Sequence, residues 1–124
     1  ANTPALFDYA RQRGVQWFED QECVDSELPK LRAALDAFIE PCAYLYLTLC
    51  LDAFPAAIAP GVSAPGTPGM CPRTAIALLR HIRSACKRFE TPLALVDVAE
   101  MNPEFDRDGI TARWAARLLG ELLA

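Results

Sequence analysis

Cys50 and Asp52 close the first of two apolar runs in the sequence that end in residues capable of chemistry. The run covers residues 44–51 and is aromatic, aliphatic and β-branched. Residues two apart on a strand point to the same face, so Cys50 and Asp52 could both address one metal ion or substrate. Taken alone, the pattern favours a structural interpretation, with Asp52 opening a loop and Cys50 acting as a small buried hydrophobe.

Carboxylates also close the second apolar run, residues 93–98. Asp97 and Glu100 precede Pro103, which stops regular structure. Glu100 is a candidate to bind a cationic group. An equally open interpretation is a solvated acid, or one that accepts hydrogen bonds from nearby backbone amides.

Other reactive side chains favour structural roles. Asp106 and Asp108 fit a turn that leads into the last helix, and His81, the single histidine, lies inside a helical pattern where a surface or interhelical role is expected. The cysteines form an odd set with no C-x-x-C pair: Cys23, Cys42, Cys50, Cys71 and Cys86. A reducing cytoplasm therefore suits the chain better than a disulfide scaffold or a zinc ribbon.

The elements that must position these residues alternate between strands and helices. Asn2, Thr3 and Pro4 predict a capped helix start, and Gly14 its end. We expect a brief strand over residues 15–18 and then a helix capped by Ser26, with Pro29 in its first turn and an apolar face of Leu28, Leu31, Leu35 and Phe38.

The run from 44 to 51 predicts a central strand covered on both faces of a parallel sheet. Residues 53–72 hold five prolines and three glycines and predict a long irregular loop with a functional purpose.

A third helix follows with Ala75, Leu78, Leu79, Ile82 and Cys86 on one face, then a second buried strand over 93–98. The last helix spans 111–123, with inward Ala112, Ala115, Leu119 and Leu122. This order predicts an α/β fold whose ligand site lies beyond the carboxyl ends of the strands.

Composition limits the classes of protein to consider. The chain has 124 residues, of which 52% are hydrophobic, so it can form one domain or part of one. Its net charge of -4 offers no positive field for nucleic acid or anionic lipid, and we expect neither as a partner. No run approaches the roughly 20 apolar residues that cross a bilayer. Because the chain opens at Ala1, directly at a helix start, we expect it to be a segment of a longer protein.

Two signatures resemble the ureohydrolase superfamily, which includes arginase, agmatinase and formimidoylglutamase. Residues 46–52 (YLTLCLD) leading into 59–65 (APGVSAP) are similar to the family's strand with an Asp-x-Asp motif and the loop after it. Residues 97–103 (DVAEMNP), with Asp106 and residues 111–113 (TAR), are similar to its last strand and helix. The APGVSAP wording and residues 2–7 (NTPALF) resemble formimidoylglutamases more than arginases. The resemblance covers nearly the whole chain.

This resemblance implies a fold, a cofactor and roles for three residues. Residues 1–124 would be the C-terminal portion of a single domain with a three-layer α/β/α fold and a mainly parallel sheet. In the family, two manganese ions hold a hydroxide that attacks a guanidino or formimino carbon. By position, Asp52 would bind metal, and Glu100 would be the catalytic and substrate-binding residue that orients the cationic nitrogen group.

Two departures from the family pattern bear on the metal. Cys50 stands where the family usually has the first aspartate of its motif, and manganese prefers hard oxygen donors to a thiolate. The family's remaining ligands, a histidine and an Asp-x-His-x-Asp cluster, lie upstream of the matched region. We therefore expect Cys50 and Asp52 to contribute metal ligands without completing the manganese site on this chain alone.

Three functional hypotheses remain open. The first is a portion of a hydrolase that converts N-formimidoyl-L-glutamate and water to L-glutamate and formamide in histidine breakdown, acting on a small amidine or guanidino substrate. The second is a non-catalytic protein that keeps the fold for binding or assembly, with Cys50 marking a degenerate metal site. The third, a receiver-like module, would need an acidic pair after its first strand and a lysine after a late one, and neither is in place. In addition, an open sheet edge predicts self-association or a homo-oligomer.

Overall fold

Six elements build the part of the chain that the structure, a computed structural model, describes, which is residues 3–124. The four helices and two strands are α1 (Pro4–Gln12), α2 (Leu28–Ile39), β1 (Leu45–Cys50), α3 (Pro72–Arg88), β2 (Leu93–Ala99) and α4 (Ile110–Leu123). Short 3-10 turns lie at Asp20–Glu22, Asp25–Glu27 and Leu51–Ala53. None of the helices in these residues is both long and apolar enough to span a bilayer.

The first helix begins where the sequence predicts. Pro4 lies in its first turn and Thr3 at the N-cap position, although the Thr3 side chain makes no capping hydrogen bond. Asn2, the other predicted start residue, lies outside the described residues. Gly14 follows the helix with φ +68°, a left-handed conformation that glycine adopts without steric cost. The predicted bounds are therefore confirmed, and Thr3 does not supply the predicted capping side chain.

The two strands pair in parallel, which confirms the predicted α/β fold with a parallel sheet. Tyr46 pairs with Leu95 and Cys50 with Ala99, after a register shift at the start of β1. Parallel strands cannot be joined by a hairpin, and α3 lies in the connection between them. The carboxyl ends of both strands consequently lie at the same end of the sheet.

The sheet has one covered face within residues 3–124. Leu45 and Leu49 are buried in a core shared with residues of α2, α3 and α4. On the other face, Tyr46 is 58% and Leu95 56% exposed. The prediction that β1 is central and covered on both faces is therefore wrong for this part of the chain, where β1 pairs with β2 alone. A continuous apolar run indicates that both faces suit burial, but it does not supply the element that would cover the second face.

Helix α3 follows the predicted pattern. Its buried side chains recur at helical spacing and include Ala75, Leu79, Ile82 and Cys86, with Leu78 half-buried. In α4 the buried stripe is rotated slightly from the predicted one. Ala115 and Leu122 are buried as predicted, but Ala112 is exposed and Leu118 is buried instead. A helical stripe more than 100° wide leaves its boundary residues undetermined until the packing partner is known.

Two predictions in the N-terminal third are wrong. Ser26 does not cap α2, because a 3-10 turn at Asp25–Glu27 runs directly into the helix and Glu27 occupies the N-cap position. Pro29 does lie in the first turn, as predicted. Residues 15–18 form no strand. A strand requires a hydrogen-bonded neighbour, and none of the described residues pairs with this segment.

The loop over residues 53–72 is irregular, as predicted, and folds back onto the end of β1. The Gly66 amide donates to the Asp52 carbonyl oxygen at 2.7 Å, and the Met70 amide donates to the Ala53 carbonyl oxygen at 2.7 Å. Pro55 and Gly66 form an isolated bridge across the loop. These backbone bonds hold the loop beside the carboxyl end of the sheet.

Candidate active site

Four side chains that carry charge or a thiol, those of Cys50, Asp52, Asp97 and Glu100, lie at or near the carboxyl ends of β1 and β2. Burial raises the pKa of the Cys50 thiol, and the negative charges of Asp52, Glu100 and Asp97 raise it further. The thiol therefore stays protonated near neutral pH. The structure thus places Cys50, Asp52 and Glu100, which the sequence singled out as site residues, at the carboxyl ends of the two paired strands.

Asp52 lies in a local structure that the sequence did not predict. Strand β1 ends at Cys50, and Asp52 lies in the 3-10 turn Leu51–Ala53. The alternation that would place Cys50 and Asp52 on one face of a strand does not apply past Cys50, so that geometric argument is wrong. The turn, with Leu51 fully buried, sets the position of half-buried Asp52.

Glu100 has an unusual backbone conformation. Its φ is +70°, in the left-handed region that costs a residue with a Cβ about 1–2 kcal/mol. The segment after it is pinned, since Met101 forms a bridge with Val62 and the Asn102 amide donates to the Gly61 carbonyl oxygen at 2.8 Å. Strained residues persist where their surroundings determine them, and they cluster at functional sites. The exposed Glu100 carboxylate is accordingly the strongest candidate for ligand contact.

Asp97, which the sequence places among the carboxylates of the second apolar run without a role, lies in β2 three residues before Glu100. Its Oδ2 accepts a hydrogen bond from the Tyr46 hydroxyl across the sheet. Its Oδ1 is shielded from solvent and has no hydrogen-bond partner among residues 3–124. An acid in the middle of an otherwise apolar strand was the signal available, because burying a carboxylate is costly unless it is paired.

The donors do not fit a complete metal site on this part of the chain. Among residues 3–124 no group of three or more His, Cys, Asp or Glu side chains is close enough to hold one ion. Cys50 and Asp52, the candidate manganese ligands, would form at most part of a ligand set. Dinuclear sites need more oxygen and nitrogen donors than these two residues offer.

Asp106 and Gly61 make hydrogen bonds that fix the backbone near the candidate site. Asp106 accepts hydrogen bonds from the backbone amides of Thr111 and Ala112, each at 2.9 Å, at the start of α4. Burial opposes ionisation of Asp106, but the amide bonds prevail and hold its pKa below the ordinary value. The Gly61 amide donates to the Thr111 hydroxyl at 2.7 Å. Asp106 thus has the structural role that the sequence predicts, at the helix start itself.

His81 lies away from the site, in the interhelical role that the sequence favours. Its Nε2 is 2.7 Å from an Asp36 carboxylate oxygen, which also accepts a hydrogen bond from Arg88 at 2.6 Å. These contacts join α2 to α3. Asp108 is exposed in the turn before α4.

Comparison with known proteins gives relatives over the whole chain. The chain is 46% identical to a formimidoylglutamase of Aeromonas hydrophila over 123 residues, covering 99% of this chain and 38% of that protein. It is 43% identical to a formimidoylglutamase of Ralstonia nicotianae, covering 99% of this chain and 36% of that protein. The chain thus spans well under half the length of the curated relatives that it matches.

Solved structures share the fold. An arginase from Bacillus subtilis superposes with a TM-score of 0.86 at 21% identity, covering 100% of this chain and 42% of that one. A formimidoylglutamase from Bacillus subtilis superposes with a TM-score of 0.85 at 21% identity, covering 99% of this chain and 37% of that one. These likenesses confirm the arginase-like fold class. The sequence model of the Arginase family matches residues 1–124. The chain belongs to the Arginase family.

Proposed function

We propose that residues 1–124 are the C-terminal portion of a single hydrolase domain that acts on N-formimidoyl-L-glutamate. Proteins named formimidoylglutamase are 43% to 47% identical to this chain over nearly its full length. The remainder of the domain would come from a longer protein, since the chain covers only 38% or less of these relatives.

The observation that carries the proposal is the exposed carboxylate of Glu100, a residue with a strained backbone directly after β2. An amidine is a cation at neutral pH, and a carboxylate can orient it through charge-assisted hydrogen bonds. Water would add to the formimino carbon, the bond from that carbon to the glutamate nitrogen would break, and the nitrogen would leave with a proton. The products are formamide and L-glutamate.

Within this scheme Asp52 and Cys50 would be metal ligands contributed by this chain. Manganese would supply a nucleophilic hydroxide when bound, and the longer protein would have to provide the remaining donors. Cys50 is a soft donor among hard carboxylates, so we expect weaker manganese binding than an aspartate would give.

The test uses the longer protein, with Cys50 and with Cys50→Asp, after reconstitution with manganese. Metal content and formimidoyl-glutamate hydrolysis are measured on both. We expect the aspartate variant to hold more manganese and to turn over faster. If neither protein hydrolyses the substrate, the proposed function is wrong.

Cys50 also favours a second candidate function, a non-catalytic protein that keeps the arginase fold for binding or assembly. Replacement of a carboxylate ligand by a thiol is expected in a protein that has lost its manganese site. This alternative predicts that Cys50→Asp restores neither metal binding nor hydrolysis. It also predicts erosion of the donor residues in the rest of the longer protein.

Two further proposals concern the setting of the protein. All five cysteines are free thiols, which suits a reducing cytoplasm. The free edge of β1 and the uncovered sheet face offer a surface for pairing between copies, so we propose that the isolated chain self-associates.

A further inference from the structure

An antiparallel contact joins the loop over residues 53–72 to the segment that follows β2. Val62 of the loop forms an isolated bridge with Met101. In an antiparallel pair, the residue after one bridge partner lies opposite the residue before the other. Ser63 therefore lies opposite Glu100, the candidate for ligand contact in this site.

Hydrogen bonds on the other side of the bridge agree with this register and fix the loop. The Asn102 amide donates to the Gly61 carbonyl oxygen at 2.8 Å, and the Gly61 amide donates to the Thr111 hydroxyl at 2.7 Å. Both polar groups of the Gly61 backbone are thus bound, two residues before Ser63. A loop fixed in this way presents Ser63 at a defined position, which a specific ligand contact requires.

Burial shows on which side the opposed residues lie. Val62 is only 2% exposed and Met101 packs against the core, whereas Ser63 and Glu100 are both exposed. Neighbouring residues of paired chains alternate between the two faces, so the exposed pair lies on the side away from the core. Directly opposed side chains begin about 5 Å apart at their Cβ atoms. The Ser63 hydroxyl and the Glu100 carboxylate can therefore contact one small ligand.

A planar amidinium cation suits this pair of acceptors. Its two nitrogens carry N–H groups that point in different directions within one plane, so a carboxylate and a nearby hydroxyl can each accept one of them. An ammonium group carries all its N–H groups on a single tetrahedral nitrogen. The pair consequently favours an amidinium over an ammonium group by its geometry, and not by charge alone.

We propose that Ser63 is a substrate-binding residue whose hydroxyl accepts a hydrogen bond from the same amidinium group that Glu100 binds. Ser63 then contributes to the selection of amidines over amines, and the loop over residues 53–72 has a role in substrate choice. This inference rests on the proposed function, because it names a second residue that holds the same substrate group.

The experiment measures binding to the manganese-reconstituted longer protein by isothermal titration calorimetry. The probes are formamidinium and methylammonium, which carry the same charge and differ in shape. For Ser63→Val we expect formamidinium to bind at least about fivefold more weakly, as loss of a hydrogen bond to a charged group requires, with methylammonium changed less than about twofold. Ser63→Thr keeps the hydroxyl at the size of valine and should retain the wild-type preference.

The matched control is Ser84→Ala, at an exposed position of α3, which should bind both probes as the wild type does. A smaller loss of formamidinium binding in Ser63→Val, or an equal loss in Ser63→Thr, would overturn the proposal. So would a wild type that binds formamidinium no better than methylammonium. If Ser63→Val melts below the wild type, Ser63→Ala takes its place with the same expected result.

Hydrolysis of formimidoyl-glutamate by the wild type is measured separately. A protein that prefers formamidinium through Ser63 but does not hydrolyse this substrate would contradict the proposed function and support the role of Ser63. A protein that hydrolyses the substrate equally well with serine or valine at this position, and binds the probes equally, would support the function and overturn the inference.

Discussion

Gly61 makes the tightest backbone approach beside the candidate site. A Cβ at this position would lie 2.4 Å from Asp106 Cβ and 2.9 Å from Thr111 Oγ1. Neither neighbour can yield easily, because Asp106 and Thr111 are bound to each other through the start of α4. At the scale of single residues, close packing here leaves room for glycine alone.

We predict that Gly61→Ala lowers the free energy of unfolding by about 1–3 kcal/mol, because it overpacks this contact. Urea denaturation followed by circular dichroism measures the change. Gly120→Ala is the matched control, since nothing lies within 4 Å of a Cβ there and a helical glycine to alanine change stabilises by about 0.5–1 kcal/mol. Equal effects of the two substitutions would show that the contact at Gly61 is unimportant.

Glu100 supplies the second prediction at residue scale. Glu100→Gln keeps the size of the side chain and removes its charge, so it should weaken the binding of a cationic amidine by this side chain. We expect kcat/KM of the longer protein for formimidoyl-glutamate to fall by about 10–100-fold, the equivalent of losing one hydrogen bond between charged groups. Glu104→Gln, at an exposed position four residues on, is the control. Retention of full activity in Glu100→Gln would show that Glu100 does not bind the substrate.

At the scale of elements, the start of α4 is joined to the site through Asp106. The carboxylate binds two amides of the helix, and the neighbouring Thr111 hydroxyl accepts a hydrogen bond from the Gly61 amide in the loop. The loop in turn bridges to Met101, directly after Glu100. Displacement of α4 would therefore be transmitted to the backbone of Glu100.

The depressed pKa of Asp106 makes this helix start sensitive to acid. Its folded-state pKa lies below the ordinary aspartate value of 3.8. The ionised form is therefore favoured by folding, and the stabilisation is complete above 3.8 and lost as the pH falls through the folded pKa. We predict that the melting temperature of the wild type falls more steeply below pH 4 than that of Asp106→Asn.

Thermal unfolding monitored at intervals from neutral pH to acid checks this prediction. Asp106→Asn should also melt below the wild type at neutral pH, where the wild-type carboxylate is ionised. Asp108→Asn, two residues away in the same turn, should follow the wild-type curve. Parallel curves for Asp106→Asn and the wild type would mean that Asp106 does not contribute through its charge.

At the scale of the whole molecule, one sheet face and the free edge of β1 are open within residues 3–124. The exposed face carries the large side chains of Tyr46 and Leu95, and Tyr44, directly before β1, is 72% exposed. Contiguous apolar surface and unpaired strand edges both favour association. We predict that the 13.6 kDa chain elutes from a sizing column at micromolar concentration as a species larger than a monomer.

Thr48→Lys tests which surface is responsible, because it places a charge on β1 at an exposed position. We expect it to shift the elution toward the monomer. Leu123→Lys, a change at an 84% exposed residue near the end of α4, should leave the elution unchanged. A sharp monomer peak for the wild type would contradict the prediction.

Local sequence determined the elements whose pattern is strong. The amphipathic spacing of Ala75 to Cys86 predicted α3, because a helix can bury only residues that recur near every 3.6 positions. The apolar runs before Asp52 and Glu100 predicted both strands and placed the candidate site at their carboxyl ends. The family resemblance rested on the same two strand ends, and the family match confirmed it.

Tertiary structure decided the features that depend on a partner distant in sequence. Residues 15–18 have strand-like composition but no neighbour to pair with, and β1 has an uncovered face, because pairing and cover are properties of two elements together. The hydrogen bonds of Tyr46 with Asp97 and of Gly61 with Thr111 likewise join residues about fifty positions apart, and the left-handed Glu100 lies directly before the bridge between Met101 and Val62. Periodicity shows which side chains a segment can bury, but only the packed fold shows which atoms they meet.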